Sequence, residues 1–379
     1  MHFTVLSAMP LPQDISAAKA NIPVEDVTNF IMRKLYLADL LDQKLMLAPD
    51  LSPTEIDQER WECLVEIMVS SLLAPYDENT TNIAHLVFDD RTDEGHKTYE
   101  QETIDCVKTP DGRIIPCFDY NFSHRYELYD GKVYRQDFGQ LHHRKRTKTV
   151  KKYIPLPNYP FQKLYATFDE FMVNHWGCER QEGTDRYGYY FNPNVEWDWW
   201  QIGGRWQFRF LVKNDCDSAV IGEPSYLFKE KPQRDAPDGY RWVAGARKCD
   251  IAWDVMRKVI RDECTKRFLR YEEWFKAGQI PKEHAGRITL TEDGIVSWGD
   301  YLYRKGETLE SRIHSLGLSD QHPYPIGTAA YVDADGWNDH YWRTSNSNDD
   351  EIQAWYKAVA DFIEKQPDDA LLVSVDCHT

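Results

Sequence analysis

LLVSVDCHT, residues 371–379, is the stretch from which the fold is read. Side chains alternate across an extended strand, so Leu371, Val373, Val375 and Cys377 fall on one face and Ser374, Asp376 and His378 on the other. The strand predicted over Ala370–Asp376 follows a helical pattern at Asp349–Glu364, with earlier strands expected at Gly286–Trp298 and Gly327–Val332. At the other terminus His2–Ser7 alternates as a strand, and Val27–Asp42 repeats Phe30, Ile31, Leu35, Ala38 and Leu41 at helical spacing. The two ends therefore read β-α and β-β-α-β. Because strands and helices intermix without regular βαβ alternation, the expected class is α+β: a mainly antiparallel sheet with flanking helices, its core built from both chain ends.

The 379 residues are enough for one large or two ordinary domains, and the formal charge of −17 argues against a general nucleic-acid coat. A hydrophobic fraction of 42% with thirteen Trp predicts a packed globular core rather than a disordered chain. No apolar run approaches the roughly 18 residues of a membrane span, and MHFTVLSAMPLPQD lacks the pattern of a secretory leader, so a cytoplasmic protein without membrane partners is expected. The eight cysteines (63, 106, 117, 178, 216, 249, 264 and 377) include no CxxC pair, which predicts reduced thiols rather than a zinc ribbon or a disulfide framework. Neither GxGxxG nor GxxxxGK[ST] occurs, which removes the strongest signatures of a Rossmann or P-loop nucleotide site; the cofactor is left open, as is a metal, for which Asp198, Asp376 and His378 would be the ligand groups.

Three segments are expected. Residues 1–83 hold the first strand and two helices, the second capped by Ser52 with Pro53 behind it and striped by Trp61, Leu64, Val65, Met68 and Leu72. Residues 84–165 read as an inserted β-hairpin subdomain, with Asp-Gly turns in TPDGR (109–113) and YDGK (129–132). Residues 166–379 complete the core, with helices at Phe168–Trp176 and Asp250–Lys276. The run HHRKRTKTVKK (142–152) offers six basic side chains, and contact with nucleic acid there is weighed against a solvated edge held by acidic neighbours, which is preferred. His142 and His143, and the cluster Asp89, Asp90, Asp93, Glu94 and His96, have nothing to fix a metal geometry, and VDADGWNDH (332–340) reads as a hairpin turn, too short for a calcium loop.

The most specific segment is NPNVEWDWWQIGGRW, 192–206. Extended from 197, it would turn Trp197 and Trp199 one way and Asp198 and Trp200 the other. Gly203 and Gly204 permit a bend that aims Arg205 at a bound anion or, in the competing reading, at Asp198 in a structural ion pair. Asp376 and His378 lie about 7 Å apart along one strand face, whereas Cys377 points away as a core thiol. Candidate catalytic residues are thus Asp198, Asp376 and His378; candidate ligand-binding residues are Arg205, Trp197, Trp199, Trp200, Gly203 and Gly204.

LAPYDEN (73–79), NPNxxWDWxxIGGRW, DIxWDxM (250–256) and the terminal VDCH together resemble a set of uncharacterised proteins encoded by bacteriophages and prophages. The resemblance runs end to end, although this chain is longer around 10–60 and 84–165 and has Trp200 where the pattern often has Tyr. It implies a phage context, in the cytoplasm of an infected bacterium, and no particular activity. The expected function is a phage accessory enzyme acting on a small anionic metabolite or nucleotide. The alternative is a non-enzymatic host-takeover or anti-defence protein that binds a bacterial target through its acidic surface, and a third reading is a small-molecule sponge.

Overall fold

The computed structural model describes residues 2–23, 25–30, 53–138, 144–225, 234–284, 286–297, 300–319, 322–339 and 349–379. Most of the helix expected at Val27–Asp42, the cap Ser52, and His142, His143, Trp298 and His340 lie outside these residues; residues 25–30 are helical. The chain is α+β and divides into two compact units, one formed by 1–79 with 194–379 and the other by 80–193.

The first unit is organised by a seven-stranded sheet. The C-terminal strand Leu371–His378 pairs antiparallel with the N-terminal strand His2–Met9 over eight positions, from His378 opposite His2 to Leu371 opposite Met9. On its other edge it meets Trp199–Gly204 at one end and Gly245–Arg247 at the other, both antiparallel. Ala330–Asp333 adds to the N-terminal strand in parallel and continues into the antiparallel Gly336–Asp339, while Glu223–Pro224 caps Gly203 and Gly204 in parallel.

Both faces of this sheet are covered. On one, Phe3, Val5, Val373, Val375 and Cys377 pack against Trp61, Val65, Val69 and Leu73 of the helix Pro53–Leu73. On the other, Leu6, Ala8 and Leu372 meet Trp355, Val359, Phe362 and Ile363 of the helix Asp349–Lys365, together with Met256 and Ile260 of the helix Trp253–Ala277. That spacing is the apolar stripe of an amphipathic helix. Each Val or Leu fully buried this way contributes about 1.5–3 kcal/mol of transfer free energy. Only His378 of the C-terminal strand escapes full burial. Towards that end the second face turns polar, through Thr4, Ser374 and Asp376 to the two histidines.

The second unit is built from three three-stranded sheets. Its hairpins turn where Asp-Gly stands: Asp130 and Gly131 both take positive φ, and the Thr109 amide donates to the Arg113 carbonyl across TPDGR. The unit extends past the 84–165 expected from sequence, to Pro193, for two reasons. Tyr187–Phe191 pairs with Val87–Asp90, and Phe171 and Met172 of the helix Phe168–Asn174 close a small core with Phe161 and Tyr187. Of the basic run, residues Arg144–Thr149 form a strand whose Arg146 makes a bidentate pair with Glu127, at 3.0 Å for each bond. All eight cysteines are free thiols. No helix among the described residues is long and apolar enough to cross a membrane.

Candidate functional site

The sheet register places His2, His378 and Trp199 side by side on three neighbouring strands. They share the face that carries Thr4, Asp376 and Gln201, because each lies an even number of residues from its neighbour along its own strand. The imidazoles of His2 and His378 meet edge to face with centroids 5.0 Å apart, and the Trp199 ring stands edge-on to His2 at 5.8 Å.

Each histidine is held by its own carboxylate. His378 Nδ1 lies 2.8 Å from Asp198 Oδ1, and the Asp198 amide donates to the His378 carbonyl at 2.9 Å. His2 Nδ1 lies 2.9 Å from Asp376 Oδ1. With Nδ1–H donating to a carboxylate, Nε2 carries the lone pair and is the basic atom. The two pairs differ in burial: Asp376 is 1% exposed and Asp198 32%, while His2 and His378 are 23% and 39% exposed. Asp376 is thus a buried anchor with both rings of the cluster standing towards solvent.

The Gly-Gly-Arg sequence explains how a carboxylate is satisfied at so buried a position. Gly203 and Gly204 both adopt positive φ, at +84° and +52°, turning the chain sharply at the end of its strand. This brings the Arg205 amide to 3.0 Å from Asp376 Oδ2. A side-chain carbon on Gly204 would stand 2.3 Å from that same oxygen, so the close approach admits only glycine. Asp376 is therefore held by a backbone N–H on one oxygen and by an imidazole on the other.

Beside His2 opens a cavity of about 240 Å³, bordered by Thr4, Trp206, Thr328 and Tyr356 as well as Gly327. The guanidinium of Arg209 is not among the bordering groups but lies close to Gly327, with Nη2 3.9 Å from where a side chain on Gly327 would begin. Burial, and secondly the charge of Arg234, pushes the Arg209 pKa down to about 10.

Of the residues singled out from sequence, Asp198, Asp376, His378, Trp199, Gly204 and the backbone of Arg205 come together here. Asp198 pairs with His378, so the alternative Asp198–Arg205 ion pair is replaced by a histidine pair. Trp197 and Trp200 are elsewhere: both pack in the core on the opposite face, 6.4 Å apart, and the Trp197 indole donates to the Leu73 carbonyl at 3.1 Å. The alternation counted from Trp197 slips because that residue bridges to Asp77, and the ladder to the C-terminal strand begins only at Trp199. Trp199 and Trp200 also border a separate cavity of about 420 Å³ with Glu62, Glu66 and Glu223. Gly203 approaches Gln207 and the Glu223 carbonyl, a packing position.

Sequence reading did not single out His2, Thr4 or Arg209. The alternation of His2-Phe3-Thr4 carried part of the signal, since it puts both polar side chains on one face. Among the described residues, no group of three or more His, Cys, Asp or Glu side chains is arranged to hold a metal ion. Comparison with protein families, curated proteins and solved structures finds no match to this chain.

Proposed function

We propose that the end of the central sheet is an acid/base site acting on a small anionic substrate. His378 and His2 move protons at Nε2, Asp198 and Asp376 hold the two rings in register, and Arg209 with Arg205 supplies positive charge for the substrate. The observation that carries this reading is the pair of carboxylate-held imidazoles with centroids 5.0 Å apart. Two neighbouring imidazoles let one remove a proton while the other donates one, which is what cleavage of an ester or phosphoester requires. At about 240 Å³ the adjoining cavity is smaller than a site for a drug-sized ligand, and Trp206 and Tyr356 suit one flat ring such as a nucleobase. The motif resemblance adds a phage setting in the cytoplasm of the infected bacterium.

The test is turnover of a chromogenic panel: a nitrophenyl phosphomonoester, the corresponding diester and a nitrophenyl carboxylic ester. His378→Asn and His2→Asn should each lower kcat by about a hundredfold or more with little change in melting temperature. Turnover indifferent to both substitutions contradicts the proposal. So does retention of a small anion with no turnover of any ester, the behaviour of a sponge.

A further inference from the structure

A second cavity, of about 290 Å³, shares no bordering residue with the histidine site. It lies between the helix Trp253–Ala277, the strand Asp300–Arg304 and the chain that leaves the helix Leu309–Ser315. Ile260, Phe268, Leu302 and Leu318 give it an apolar floor, with the rings of Tyr271 and Tyr301 at its border. Its charged groups are unbalanced. Arg234, Arg267 and Arg312 all line it, and Glu263 is the one carboxylate among the described lining residues.

Two of these arginines are already committed. Arg267 Nε donates to Glu263 at 2.9 Å, and Arg312 donates to Glu307 at 2.9 Å and to the Tyr301 carbonyl at 3.2 Å. Arg234 makes no ion pair among the described residues; its guanidinium stands 6.0 Å from the Trp242 ring, and its Nε is buried without a hydrogen-bond partner. The Nε of Arg312 is likewise buried and unbonded. Arg209 does not border the cavity but is near enough to Arg234 to feel its charge. Burial, with the neighbouring Arg267 charge, pushes the Arg234 pKa down, and burial with the Arg234 charge does the same to Arg209. Cations crowded together out of water are unfavourable unless an anion completes them.

We propose that this cavity binds a phosphate monoester of a flat apolar or aromatic group. Arg234 meets the phosphate through its planar fork, Arg267 and Arg312 frame it from positions fixed by Glu263 and Glu307, and the floor receives the ring. A guanidinium fork matches phosphate oxygens in paired, charge-assisted hydrogen bonds. An uncommitted Arg234 beside Arg267 and Arg312, with one carboxylate among the described lining residues, favours a phosphate, with a charge of about −1.5 to −2 at neutral pH, over a singly charged carboxylate. This site does not depend on the acid/base reading of the histidines.

The experiment uses phenyl phosphate as the probe, with phenol and inorganic phosphate as its two halves, read by calorimetry and by the shift in melting temperature. Phenyl phosphate should bind saturably and about tenfold or more tightly than either half. Arg234→Met should weaken that binding about tenfold or more while leaving the unliganded melting temperature equal or higher, because it removes an unpaired charge. Leu316→Trp, which keeps every arginine and fills the cavity from its apolar side, should abolish binding with the fold retained. The proposal is overturned if phenyl phosphate does not saturate below about 10 mM, or if either substitution leaves its affinity unchanged. It is also overturned if Arg234→Met markedly lowers the unliganded melting temperature, which would make Arg234 a structural residue.

Discussion

In the larger unit a single strand, Leu371–His378, lies between two cores, whereas the unit spanning 80–193 divides its strands among three short sheets with small cores. One of those cores rests on Val107, Phe122 and Val133, and nearby Phe118, Tyr120 and Ile154 are exposed. The difference lies in what can move. A strand packed on both faces cannot slide without disturbing two cores, since a one-residue slip sends every side chain to the other face. The polar cluster at its end is therefore fixed by packing far from the histidines. Short sheets with modest cores lean instead on turn geometry and on surface ion pairs such as Arg91 with Asp89 and Glu94.

The comparison is sharpest at two glycines. Gly204 and Gly131 have similar φ, +52° and +64°, but an added carbon meets the Asp376 carboxylate at Gly204 and nothing within 4 Å at Gly131. Gly204→Ala should therefore cost about 3 kcal/mol or more, from left-handed strain plus steric overlap, and should displace Asp376 and the His2 ring with it. Gly131→Ala should cost only about 1 kcal/mol, the strain alone. Equal losses in denaturant melts of the two variants would show that the close contact at Gly204 is not what fixes the anchor.

A smaller effect concerns acid. Hydrogen bonds from the Thr92 hydroxyl and amide, and then from Arg186, hold the Asp90 carboxyl down at about 2, from an ordinary value of 3.8. A depressed folded-state value means the contribution is complete above the unfolded value and disappears as pH falls from about 4 towards about 2. Amides of Val87–Asp90 and Tyr187–Phe191 should lose protection, relative to their intrinsic exchange rates, in that window. Asp90→Asn should remove this pH dependence of protection, and protection that stays flat in the unsubstituted protein would contradict it.

Much of this architecture is written locally. The alternation in LLVSVDCH marks the last strand and separates Cys377 from His378, and the spacing of Trp355, Val359, Phe362 and Ile363 marks the last helix. The doubled glycine before Arg205 signals a turn. What the local pattern does not contain is register. His2 became part of the site only because the first strand lies against the last, pairing residues 376 positions apart in sequence, and no feature of residues 2–9 names that partner. The slip at Trp197 has the same origin, an isolated bridge to Asp77 that a period-two reading cannot anticipate. Arg234, Arg267 and Arg312 come from a loop and two different helices, so nothing in their spacing announces a shared environment.

Two imidazoles are each held at Nδ1 by a carboxylate, which under the proposed acid/base role leaves Nε2 as the working atom. Long-range proton–nitrogen correlation spectra of the histidine side chains test it directly. Neutral His2 and His378 should show the Nδ1–H tautomer, with a change of tautomer at His378 alone in Asp198→Asn and at His2 alone in Asp376→Asn. Nε2–H tautomers in the unsubstituted protein, or spectra that ignore both substitutions, would contradict it.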